Sequence, residues 1–392
     1  MTLIEDLFGW NGHCIILGNS ERYFINYNLS RDSILRLSQK LFNAAPFFFF
    51  NSLISVSGIQ YPVKVLNITR LIWGIILPIC ECQDPMVRKF MKVNESILIT
   101  SLIGDALSLG THWVYSQSEI AEHIHGTENY SNPISKYHSG KKAGDFTHYG
   151  DQVLVLLKSL SDKKCFDLQD FAKEWLAFWK DTKTVSYRDG ATRETLENLS
   201  SGSSVLASSS LSHDIAGAAR IAPFFLLPWR GNDDLFEAVR RQTAFTHGDP
   251  SVVEAAEFFA RVVLLVKDGQ HISDALKSTA SMTHWQSIPK KWYDAAVESS
   301  NSFDNDFRVA EAHGLGCDIS QAFPLTCYLL IKYPEDAAGA LIANNRVGGD
   351  SAARGMILGM VHGARSHASS LPEKWLKGLS AMDIIQNYIK NF

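Results

Sequence analysis

From about residue 95 onward, apolar positions recur three and four apart along the chain. In DLQDFAKEWLAFWK (167–180), Leu168, Phe171, Trp175 and Phe178 share one helix face behind an Asp at the start. The stretch DPSVVEAAEFFARVVLLVKDG (249–269) opens on Asp-Pro, carries Glu254 and Glu257 early, and closes on Lys267 ahead of Gly269. It therefore holds helix start and stop signals together. The same spacing marks 231–244, 288–300, 318–332, 334–346 and 350–365. Strand alternation is nearly absent there and the linkers are short, so this part predicts a single all-α domain with no parallel sheet and no dinucleotide fold. Trp175, Trp179, Phe258 and Phe259 read as core.

Residues 1–90 break the pattern. The run LFNAAPFFFFNSLISVSGIQYPV (41–63) carries no charge, and LIWGIILPIC follows at 71–80. Asn43, Pro46, Asn51, Gly58 and Pro62 interrupt the first run, and the second is half of the about 20 residues a membrane helix needs. The expectation is a poorly organised N-terminal extension over 1–90, outside the core fold and without a membrane anchor, with Met91 as an alternative start. The folded domain is expected over 91–392.

At 392 residues and 46% hydrophobic content the chain can bury a large core. A net charge of −4 and a pI near 6.4 give no broad electropositive field, which argues against nucleic acid or an anionic membrane as partner and for a small molecule. The six cysteines are scattered without metal-ligand spacing, and the start MTLIEDLFGW has acids where a secretory signal carries Lys or Arg. Reduced thiols and a cytoplasmic location are expected.

Three stretches place an Asp beside Gly, where backbone can turn sharply or approach a ligand: LIGDALSLGTHWVY (102–115), GDFTHYGDQVLVLL (144–157) and VGGDSAARGMILGMVHGA (347–364). Asp151 and Asp350 each fall near a helix start, where capping alone is worth about 0.5–2 kcal/mol. Glycines 355, 359 and 363 form a stripe suited to close helix packing. The N–H groups from Gly348 to Ser351 could cradle a diphosphate without any metal.

Taken together, the three stretches resemble the ADP-ribosylglycohydrolase family, which reads G-D-A-L-G-x-x-x-E, then T-D-D-T, then G-G-D-T-D-T before a small-residue helix. RDGATRETLENLSSG (188–202), ARIAPFFLL (219–227) and AFTHGDPSVVEAAEFFARV (244–262) extend the resemblance over about 95–365. The wording THYGDQ and GGDSAARGM looks most like the J-crystallin and selenoprotein J branch. The resemblance implies a compact orthogonal multi-helix domain and hydrolysis of an ADP-ribosyl (N- or O-ribosyl) bond. It also implies Mg²⁺ held by carboxylates and Thr hydroxyls to orient ribose and water.

Against that pattern, Asp151 and Asp350 are kept as metal and catalytic candidates, but Tyr149, Gly150 and Gln152 replace Thr, Asp and Thr, and Ala352 and Ala353 replace Asp and Thr. One Mg²⁺ at most is expected, held by Asp151, Asp350, waters and Ser351 or Gln152, or none. His112 stands where the family has its glutamate. It is open as a proton-transfer group, as part of an aromatic lining with Trp113, Tyr115, His148 and Tyr149, or as a hydrogen-bonded histidine at a helix end. Asp105, His148, Tyr149, Gly348, Gly349 and Ser351 are the substrate-contact candidates, for an ADP-ribose-type ligand. Arg354 is open to phosphate or to an ion pair. The alternative to a hydrolase is a catalytically inert, crystallin-like or nucleotide-binding member of the same fold.

Overall fold

The computed structural model describes residues 13–18, 21–26, 54–56, 59–61 and 85–392, apart from 124–125, 182–186, 287–288, 303–304 and 366–370, with side chains described from residue 93. The chain divides into two units, 1–80 and 81–392. In the first, β1 (His13–Gly18) pairs antiparallel with β2 (Glu21–Asn26), and β3 (Ile54–Val56) with β4 (Ile59–Tyr61). These segments are rich in the β-branched and aromatic residues that suit a pleated surface. Most of the uncharged run 41–63, and all of 71–80, lie outside the described residues.

The second unit is helical, as the spacing predicts. It begins with α1 (Pro85–Ser108), α2 (Gln117–His123), α3 (His148–Lys163), α4 (Leu168–Lys180), α5 (Gly190–Ser200) and the single turn α6 (Ala216–Ala219). It continues through α7 (Asn232–Thr246), α8 (Pro250–Lys267), α9 (Ile272–Ala280), α10 (Pro289–Ser302) and α11 (Asp306–His313). The last helices are α12 (Ile319–Lys332), α13 (Ala337–Val347), α14 (Ser351–Gly363), α15 (Glu373–Gly378) and α16 (Met382–Ile389). The start signals act as read: Asp167 accepts the Asp170 N–H, and Asp249 accepts the Ser251 N–H with Pro250 opening α8. Trp175, Trp179, Phe258 and Phe259 are buried in one continuous core. Among the described residues no helix is long and apolar enough to cross a membrane.

The glycine stripe explains the centre of the fold. A Cβ built on Gly355 would lie 2.6 Å from the Gly104 carbonyl oxygen, on Gly359 2.1 Å from that of Thr100, and on Gly363 2.5 Å from that of Ser96. Helices α14 and α1 thus touch backbone to backbone along three turns, and α14 is buried over its whole length. This contact sets the first motif, at the end of α1, beside the third, at the start of α14.

Candidate functional site

The two motifs are locked by a short bridge. The Trp113 N–H donates to the Gly349 carbonyl at 2.7 Å, and the Gly349 N–H to Val114 at 2.7 Å. Trp113 is held at φ 64°, unusual for a side-chain-bearing residue, and Gly348 and Gly349 at φ 72° and 64°. A Cβ at 348 would meet the Val114 carbonyl oxygen at 2.5 Å, and one at 349 the Leu315 carbonyl oxygen at 2.4 Å. The Gly-Gly turn is therefore required by close backbone approach.

Out of this turn comes Asp350, 1% exposed. It stands at the cap position of α14 but makes no capping bond with its side chain. Instead Trp113 Nε1 donates to Oδ2 at 3.0 Å, the Tyr149 hydroxyl to the same oxygen at 3.5 Å, and Oδ1 lies 3.7 Å from His112 Nδ1. Tyr149 also donates to Asp214 Oδ2 at 3.0 Å. Asp214 arrives from the loop before α6, which pairs with the start of α12: the Ile215 N–H donates to the Cys317 carbonyl at 3.0 Å. Carboxylate oxygens of Asp214 and Asp350 and the Cys317 sulfur lie within 4.8 Å of one another. Burial raises the pKa of both acids. For Asp214, the nearby Asp350 charge adds to the shift, carrying it well above the usual range. Two carboxylates crowded into one dry site share their titration, and the protonated form of one stabilises the other.

The second motif is built differently from expectation. Thr147, not Asp151, caps α3, accepting the Tyr149 N–H. Asp105 receives both the Thr147 N–H (2.8 Å) and hydroxyl (2.6 Å), and burial raises its pKa to about 6. Asp105 thus fixes the start of α3. A Cβ on Gly150 would meet Asp105 Oδ2 at 2.5 Å, so a side chain at 150 requires Asp105 to shift. Both oxygens of Asp151 accept from Lys141 Nζ, at 2.9 and 2.6 Å; burial raises its pKa and Lys141 opposes the rise. Gln152 turns to the core, accepting from Trp175 Nε1 at 2.9 Å and from Arg220. Ser351 Oγ faces Thr111 Oγ1 at 3.4 Å.

The diphosphate cradle is not formed. The N–H groups of Gly348, Gly349, Asp350 and Ser351 donate to the carbonyls of Asn344, Val114, Leu315 and Gly349. Glycine-rich sequence suggested open donors, but the close approach of neighbouring backbone uses each of them. Arg354 is equally committed: it is fully buried, with Nε donating to Asn344 Oδ1 at 3.1 Å and Nη2 to the Gly348 carbonyl. It braces the turn rather than facing a phosphate.

An aromatic lining does assemble. His112 stacks on Trp113 at 4.4 Å between ring centroids and meets Tyr149 edge-on at 5.6 Å. His148 lies against Tyr149 at 3.9 Å, and Tyr187 packs against both Trp113 (5.0 Å) and His148 (5.3 Å). Tyr137, largely exposed, meets Trp113 edge-on at 5.3 Å. Tyr115 is 54% exposed and makes no ring contact with this cluster. His112 Nδ1 accepts the Ala352 N–H at 3.3 Å, and burial keeps the ring's pKa well below its ordinary value. His148 Nε2 lies 3.1 Å from Asp189, which also accepts the Thr192 N–H to cap α5. Burial works to raise the Asp189 carboxyl, but His148 and the Thr192 N–H outweigh it and hold it low.

These residues do not fit a pair of Mg²⁺ ions. Magnesium wants oxygen ligands in near-octahedral array. Asp151 is held by Lys141 and belongs to neither of the two His, Cys, Asp or Glu groups that could hold an ion among the described residues. Asp350 is grouped with a thiol, a poor donor for magnesium, and Ala352 and Ala353 offer no side-chain oxygen.

Asp214, Cys317, His138, Lys141 and Tyr187 escaped the sequence reading. All five lie outside the three motifs, on segments between the α-helices, and Asp214 and Cys317 reach the site through contacts distant in sequence.

The helical unit thus brings a Gly-Asp helix end, a Thr-capped helix and a Gly-Gly-Asp turn onto one buried cluster. The family model described as ADP-ribosylglycohydrolase matches residues 95–392, and the chain belongs to that family. Crystallin J1A of Tripedalia cystophora is 21% identical over 317 residues, covering 75% of this chain and 94% of its own length. Crystallin J1B of the same organism is 22% identical over 302 residues, covering 72% and 90%. A solved structure titled ADP-ribosylglycohydrolase-related protein complex aligns with a TM-score of 0.57 at 16% identity, covering 78% of this chain and 98% of that one, a likeness of fold.

Proposed function

We propose that the chain is a hydrolase of an ADP-ribosyl-type N- or O-ribosyl bond that works through the Asp350–Asp214 pair in place of the family's two-metal cluster. The observation that carries this reading is the sharing of Tyr149 by two buried acids, one of them the retained aspartate of the family's last motif. Burial and crowding favour the protonated form of one acid, and that acid can donate its proton to the leaving oxygen or nitrogen. The other, ionised and within 4.8 Å of it, the close spacing of a retaining pair, attacks the ribose carbon as the glycosidic bond breaks through an oxocarbenium-like state, and water then displaces it, giving its proton back to the first acid. His112, 3.7 Å from Asp350, steadies the pair, and Trp113 and Tyr187 offer stacking faces for the ligand's base.

The test is release of ADP-ribose from a panel of N- and O-linked ADP-ribosyl substrates, with Asp350→Asn and Asp214→Asn compared with wild type. The variants should lose at least about 100-fold in turnover while still binding ADP-ribose by calorimetry. The second reading, an inert crystallin-like or nucleotide-binding protein, is favoured by Lys141 occupying Asp151 and by the crystallin relatives. It is the outcome if wild type and variants alike leave the whole panel uncleaved.

A further inference from the structure

Beside the acid pair lies a histidine cluster of which the chemistry above uses only His112. The side chains of His112, His138 and His148 are all buried, and one nitrogen from each lies within 4.8 Å of the others. His112 Nε2, both nitrogens of His138 and Nδ1 of His148 have no hydrogen-bond partner, while His148 Nε2 faces Asp189. Four unpaired polar atoms in one buried spot cost free energy that an apolar core would not.

We propose that His112, His138 and His148 form a three-histidine site for a borderline transition-metal dication of the Zn²⁺ type. The ring centroids are separated by 5.3, 5.9 and 6.3 Å. Three imidazoles on a tetrahedral Zn²⁺, with Zn–N of about 2.0–2.1 Å, hold their centroids about 5.2 Å apart, so the rings need only close in slightly. A His₃ set with an open fourth position is a known catalytic type, whereas magnesium prefers oxygen. The surrounding acids also suit metal ligation. Ligating histidines donate their second N–H to a carboxylate, and here Asp350 Oδ1, itself unpartnered, lies 3.7 Å from His112 Nδ1, while Asp189 Oδ2 lies 3.1 Å from His148 Nε2. Coordination would thus use Nε2 of His112 and Nδ1 of His148, and on binding the His112 proton would move from Nε2 to Nδ1, facing Asp350 Oδ1 and giving up the bond from the Ala352 N–H. His138 is buried with neither ring nitrogen paired, and its segment borders a surface concavity of about 310 Å³ lined by residues from Asn132 to Lys142.

The proposal stands apart from the hydrolase reading because it is measured without turnover. The full chain is stripped with chelator and titrated with Zn²⁺ alone by calorimetry and with Co²⁺ alone by visible absorption, with Mg²⁺ as a control. One Zn²⁺ per chain, tetrahedral Co²⁺ bands, a higher melting temperature with Zn²⁺ and no competition from Mg²⁺ are expected. His138→Ala should weaken binding at least about 100-fold, and Asp189→Asn, which changes only the carboxylate behind His148, about 10–100-fold. His138 makes no side-chain hydrogen bond, so its removal leaves the fold's bonds intact, and circular dichroism confirms that the variant is folded. Absence of stoichiometric binding overturns the proposal. So does binding that survives His138→Ala, or that disappears in Cys317→Ser, which would move the ion to the Asp350 group.

Discussion

Gly359→Ala tests the contact on which the site's placement depends. The added methyl would sit 2.1 Å from the Thr100 carbonyl oxygen, about 1.3 Å short of the 3.4 Å at which ordinary contact begins. The obstacle is helix backbone, not the end of a flexible side chain, so α1 and α14 must separate. Overpacking of this kind costs about 1–3 kcal/mol and occasionally more, and the helix propensity of alanine returns about 0.8–1.0 kcal/mol. An overlap this large with rigid backbone falls at the upper end of that cost, so the net loss is about 2 kcal/mol, which for a chain of this size lowers the melting temperature by about 2–4 °C per kcal/mol. Gly190→Ala is the matched control, because a Cβ there meets nothing within 4 Å and sits in the first turn of α5. Thermal unfolding by circular dichroism should show the first variant clearly destabilised and the second unchanged or slightly stabilised. Equal melting temperatures for Gly359→Ala and wild type, or an equal fall in both variants, would refute the backbone-contact argument.

Two further outcomes follow from the buried polar groups. Asp105 has its pKa raised to about 6 from 3.8, so between those values the folded chain binds more protons than the unfolded one and stability falls as pH rises. The loss is about 3 kcal/mol at most, complete above pH 6 and absent below pH 4, and urea titrations across that window should show Asp105→Asn missing it; parallel pH profiles for the two proteins would contradict the assignment. Trp113→Phe keeps the ring but deletes the donor to Asp350 Oδ2, and should cost about 1–3 kcal/mol in denaturant unfolding, with a null effect refuting the bond.

Much of the fold was legible because helix period and caps are local signals. Leu168, Phe171 and Trp175 declare one buried face, and Asp249-Pro250 declares one helix start, whatever else the chain does. The stripe at 355, 359 and 363 was equally legible as a contact, since fourfold spacing of small residues has one geometric consequence. The site was legible in part. Asp350, His112 and Tyr149 come together because their motifs lie on packed helix ends. Asp214 and His138 carried no such signal: their neighbours are chosen by pairings such as Ile215 with Cys317. The diphosphate cradle misled for a related reason, since sequence reveals that a glycine is present and not which carbonyl its N–H has found. Asp151 misled by register: the cap lies four residues earlier, at Thr147, which leaves the acid in the first turn facing Lys141.

The family-pattern replacements at 112, 150 and 352 fit together as one rearrangement. With Gly150 in place, Asp105 Oδ2 lies where a Cβ at 150 would come within 2.5 Å of it. The backbone N–H of residue 352 donates to His112, which sets the ring against the start of α14. Once His112 is in place, Asp350 is hemmed by His112, Trp113 and Tyr149, and its remaining neighbour of like charge is Asp214. Restoring a single family residue would therefore not restore the family's metal site. Ala352→Asp alone would add a third carboxylate beside a buried pair whose charges already repel, and Gly150→Asp would strike Asp105 before reaching any ion. What the chain brings together is a buried pair of acids beside three buried histidines, and its chemistry has to be sought with those groups.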